Sequence, residues 1–73
     1  MKVYKYNSGS ESYDLIATIE DDGTIIGASA FASRVEEVLT RVEEKGVERA
    51  EVIESVKEIV ERRYNNGHYS TVR

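Results

Sequence analysis

The single histidine of this chain, His68, stands two residues before Ser70, and a hydrolytic reading begins with that pair. A nucleophilic serine needs a base within hydrogen-bond reach and a third group to orient the base. Residues 68–70 read as extended chain, and positions two apart on a strand lie side by side on one face rather than meeting as base and nucleophile. A carboxyl-terminal segment is also a poor support for groups that must be held to within about half an ångström. His68 is expected to be an exposed histidine near a chain end, and no catalytic residue is assigned.

Metal chemistry fares no better. With no cysteine and one histidine, only carboxylates remain as further ligands, which excludes a structural zinc site. The acidic turn Asp21-Asp22-Gly23 lacks the spaced oxygen ligands and closing glutamate of a calcium loop, so it is read as a hairpin turn. No glycine-rich phosphate loop and no dinucleotide fingerprint is present, and no cofactor is expected. Glutamates are plentiful, from Glu36 to Glu61, yet they fall mainly outside the apolar helical stripes, where water keeps carboxyl groups ordinary. A non-enzymatic protein is the expectation.

The clearest positive signal lies near the carboxyl end, where Arg62, Arg63, Tyr64, Tyr69 and Arg73 mix cations with rings able to stack on bases. These five are the candidate nucleic-acid contacts. Their ordinary explanation is that Arg62 and Arg63 complement a helix dipole while Tyr64 closes the core. Charge distribution weighs against the nucleic-acid reading. Residues 1–30 carry two lysines against five carboxylates, residues 31–61 carry five cations against nine glutamates, and residues 62–73 carry three arginines and no acid. A basic tip on an acidic body of net charge −4 meets polyphosphate with long-range repulsion.

The elements that must position these residues follow from periodicity. Lys2, Tyr4 and Tyr6 share one face of a first strand, with Val3 and Lys5 on the other. The polar run 7–12 reads as a loop. In a second strand Tyr13, Leu15, Ala17 and Ile19 alternate with Asp14, Ile16, Thr18 and Glu20, and Thr24-Ile25-Ile26 returns as a third strand after the acidic turn. Phe31, Val35, Val38, Leu39 and Val42 then recur at helical spacing over about residues 30–45, with Ser33 favoured over Ser29 as the cap because Glu36 follows three residues later. Gly46 closes that helix. A second helix carries Val52, Ile53, Val56, Ile59 and Val60 up to about Tyr64, where Asn65-Asn66-Gly67 ends it. Residues 68–73 are rich in β-formers and fit either a fourth strand or a free end.

Strands followed by helices give an α+β class: a small antiparallel β-meander packed against a two-helix hairpin, in one domain spanning residues 1–73. No run approaches the roughly twenty apolar residues that span a bilayer, and the first residues lack the apolar core of a signal peptide, so a soluble, cytoplasmic protein is expected. A chain this short has little core and no disulfide to brace it, which leaves oligomerisation as the available support. If Leu15, Ala17, Ile19 and Ile26 face the helices, Ile16 and Ile25 face outward. Ile16, Ile25, Tyr4 and Tyr6 are therefore the candidate interaction residues, tyrosine being well suited to a half-wet interface. A protein partner, including a second copy in a two-fold dimer through a sheet face or an open edge, is the expected partner class.

Overall fold

A computed structural model describes residues 1–73 as a four-stranded antiparallel sheet with two helices on one face, the expected α+β arrangement. Strand β1 spans Lys2–Asn7, β2 Ser12–Ile19 and β3 Ile25–Ile26; helices α1, Ala30–Glu44, and α2, Arg49–Arg63, follow, and β4, Tyr69–Val72, completes the sheet. The spatial order is β3-β2-β1-β4. The carboxyl-terminal segment thus forms the fourth strand and one edge of the sheet, while β1 lies in the middle with partners on both sides.

Between β2 and β3, Asp22 accepts the Thr24 amide at 2.9 Å and Gly23 adopts φ +91°, so the acidic turn closes a hairpin. A second turn places β4. Asn66 Oδ1 accepts the amides of His68 and Tyr69, while Asn65 accepts the Thr71 amide at 2.9 Å and donates to Glu61 O at 2.7 Å. The two asparagines that end α2 therefore also hold the start of the last strand, one amide group serving both elements.

The sheet register departs from simple alternation at one point. Val3 faces Ala17 and Tyr4 faces Leu15, so β2 carries an extra residue, Ile16, in a β-bulge. One inserted residue exchanges the faces of everything beyond it. Ala17 and Ile19 point into the core at 1% and 0% exposure, whereas Leu15 and Tyr13 emerge on the opposite side at 53% and 44%. The single apolar face expected for Tyr13, Leu15, Ala17 and Ile19 is split in two.

The core is Val3, Ala17 and Ile19 from the sheet with Ala32, Val35, Leu39, Ile53 and Val60 from the helices. Helix α1 starts at Ala30 as expected, but its cap is Ser29 and not the favoured Ser33: the Ser29 hydroxyl accepts the Ala32 amide at 3.1 Å and donates to Ile16 O at 2.7 Å. Tertiary placement decides this, because Ser29 alone sits where its hydroxyl serves both the helix and the bulge. The end of α1 follows expectation, with Lys45 as cap and Gly46 at φ +84°.

Candidate interaction site

The helices cover one face of the sheet and leave the other to solvent. Three cross-strand rows build that outer face: Ile26, Thr18, Lys2 and Val72; then Leu15, Tyr4 and Ser70; then Tyr13 beside Tyr6. The Tyr6 and Tyr13 rings meet edge to face at 5.3 Å, and the Tyr13 hydroxyl donates to Gly67 O at 3.0 Å, so both rings are fixed in place. Five of the protein's seven large exposed apolar side chains, Tyr6, Tyr13, Leu15, Ile26 and Val72, belong to these rows.

Of the sequence-derived interaction residues, Tyr4 and Tyr6 lie on this outer face, Tyr4 half-buried between Leu15 and Ser70. Ile16 and Ile25 do not. Both are half-buried and packed against the core, because the bulge turns Ile16 inward and the pairing of Ile25 with buried Ile19 puts it on the helix side. Their expected outward orientation is reversed: Leu15 and Ile26, each 53% exposed, occupy the outer face instead. Gly27 marks the bulge locally, since a side chain there would lie 2.7 Å from Ile16 O and its φ is +139°. From sequence, a glycine directly after a short strand was the available signal of a close backbone approach.

The basic end is brought together only in part. Arg73 folds back to α2, binding Glu54 at 2.5 Å and Glu61 at 3.1 Å, which holds the Glu61 carboxyl below its ordinary range. Tyr64 packs edge to face with Phe31 at 4.7 Å and with Tyr69 at 4.9 Å, so both tyrosines spend their ring faces or edges on an aromatic cluster at the end of the helical layer. Arg62 and Arg63 remain exposed and outside any ion pair.

Two further cations act as internal braces that sequence reasoning passed over. Arg49, at the first turn of α2, binds the Glu36 carboxylate through both terminal nitrogens at 2.8 and 2.6 Å, reaches Glu43 through Nε at 2.8 Å, and donates to Gly23 O at 3.2 Å. That fork raises the guanidinium pKa and lowers that of Glu36. Lys57 is 3% exposed, its aliphatic stem inside the core margin and its ammonium emerging to pair with Asp21, whose carboxyl is lowered first by that hydrogen bond and then by the lysine charge. No three His, Cys, Asp or Glu side chains are grouped to hold a metal ion, and no helix is long and apolar enough to cross a membrane.

No family model, curated protein or solved structure matches this chain.

Proposed function

We propose that this chain is a non-enzymatic interaction module that pairs with a second copy of itself, as a two-fold dimer, through the outer face of its sheet. The observation that carries the reading is the gathering of Tyr6, Tyr13, Leu15, Ile26 and Val72 on one uncovered face. Sheet faces pack against each other about 10 Å apart with interleaved side chains, and a two-fold axis makes one such patch complementary to itself. The four strands, of six, eight, two and four residues, offer roughly 320 Å² in plan, below the roughly 600 Å² that a standard-size interface buries on each side and in the range of weak, transient contacts. The dimer is therefore concentration-dependent rather than permanent.

Light scattering across concentration tests it. A mass that climbs from monomer to dimer and persists at high salt, together with a monomeric Leu15→Lys/Ile26→Lys variant, supports the reading; a strict monomer to about 1 mM contradicts it. Nucleic-acid binding is the competing reading, favoured by Arg62 and Arg63 alone, since Arg73 is engaged by Glu54 and Glu61. It calls for steep salt dependence and loss in the Arg62→Ala/Arg63→Ala/Arg73→Ala variant.

A further inference from the structure

Opposite the sheet, α1 and α2 diverge and leave an apolar cleft of about 190 Å³ between them. Its nine lining residues come only from α1, α2 and Tyr64, and seven of them are hydrophobic; the other two are Arg34 and Arg63. Val38 and Ile59, both expected from their spacing to face the core, stand at 46% and 48% exposure on its walls. They are the two large exposed apolar residues that the outer sheet face does not account for.

Charge gives this cleft a direction. Arg41, Arg49, Lys57 and Arg73 all hold carboxylates of their own chain, whereas neither Arg34 nor Arg63 forms an ion pair. No glutamate stands at the i,i+4 positions: four residues after Arg34 comes Val38, and four residues before Arg63 comes Ile59, while Glu37, three residues after Arg34, is taken by Arg41. Each free guanidinium thus sits one turn from an exposed hydrophobe. Because the helices run antiparallel, Arg34 near the start of α1 and Arg63 at the end of α2 mark the same end of the cleft, beside Phe31 and Tyr64.

From this juxtaposition we infer that the cleft is the docking groove for an acidic amphipathic helix of a partner protein. Two antiparallel helices present a groove into which the ridge of a third packs at 8–10 Å between axes. The partner lays apolar residues at i, i+4 and i+7 on Val38 and Ile59 and sets carboxylates against Arg34 and Arg63, a helix-in-groove mode with a charge-fixed orientation. A second copy fits the groove poorly: Arg34, Val38, Arg41 and Lys45 share one line along α1, so a copy's own α1 would bring cations to the free arginines. Nucleic acid fits poorly as well, because the floor between the arginines is hydrocarbon where phosphates need donors. The inference is independent of sheet-mediated pairing, which uses the opposite surface.

Selection from a displayed library of randomised helical peptides, with counter-selection against the Val38→Glu/Ile59→Glu variant, tests it. Enriched peptides are expected to carry an apolar i, i+4, i+7 stripe flanked by Asp or Glu. A synthesised winner should shift the amide resonances of α1 and α2 while sparing the outer sheet residues. Binding should weaken at least tenfold in Arg34→Glu/Arg63→Glu and return when the peptide's acids become lysines. Arg34 and Arg63 are exposed, so that variant keeps its fold and the charge swap remains decisive even if Val38→Glu/Ile59→Glu unfolds. Absence of enrichment, winners that lack acids or bind the arginine variant equally well, or a duplex oligonucleotide that competes at Arg34 and Arg63 would overturn the inference.

Discussion

Arg49 joins three parts of the molecule through one side chain: its own helix, the Glu36 and Glu43 carboxylates of α1, and the Gly23 carbonyl of the β2–β3 turn. Replacing it with Met keeps the stem and removes the fork. Because Glu36 and Glu43 are each about half exposed and so remain hydrated, the loss in unfolding free energy is expected at about 1–2 kcal/mol, read from denaturant midpoints. The carboxyls of Asp21, Asp22, Glu36 and Glu61 are all held below their ordinary range by a cation or an amide donor. An unfolded chain binds protons at these groups first as pH falls, so their stabilisation is complete above the ordinary carboxylate range and declines below about pH 5. Denaturation midpoints should be level from about pH 5 to 7 and drop below that range, and Glu36→Gln should make the drop shallower. The pairings of Glu36 with Arg49, Asp21 with Lys57 and Glu61 with Arg73 were not legible in the sequence, since each joins residues more than ten positions apart. The local signals were legible: the Asp22 turn and the Gly46 stop follow from residue type alone.

At the scale of elements, the bulge at Ile16 governs which side chains the sheet shows to water. Alternation counted forward from Tyr13 assigns faces correctly only until an extra residue intervenes, and nothing in the pattern Leu15-Ile16-Ala17 distinguishes an inserted residue from a regular one. That is why strand existence was readable while the facing of Ile16 was not; the facing of Ile25 depends instead on the β2–β3 register, which pairs it with buried Ile19. The helical stripes show a related limit. Periodicity placed Val38 and Ile59 on apolar faces, but the separation of the helices, which leaves those faces half exposed, is a property of the assembled layers. Ser29 supplies a test at this scale. Its hydroxyl caps α1 and binds the bulge carbonyl, so Ser29→Ala should lower stability by about 1–2 kcal/mol in thermal unfolding, whereas Ser33→Ala, which touches no cap, should be near neutral. Equal effects would restore Ser33 as the cap.

Taken whole, the molecule is small in core and long in shape. Ten of its residues are buried, and its Cα envelope of 43 × 20 × 16 Å gives a radius of gyration of 12.6 Å, above the roughly 11 Å of a compact chain of this length. Such a molecule keeps a large ratio of surface to core, and its exposed apolar side chains are sorted onto two surfaces, one on each side of the layered fold. Pairing through the outer sheet face would turn two thin layers into four and bury the larger of those surfaces. The direct test is the solution mass by light scattering over a concentration series at low and high salt, with Leu15→Lys/Ile26→Lys measured in parallel. A monomer-to-dimer rise that salt leaves in place and the double variant abolishes is the predicted result. A wild-type protein that stays monomeric, or a dimer that survives both lysines, would contradict it.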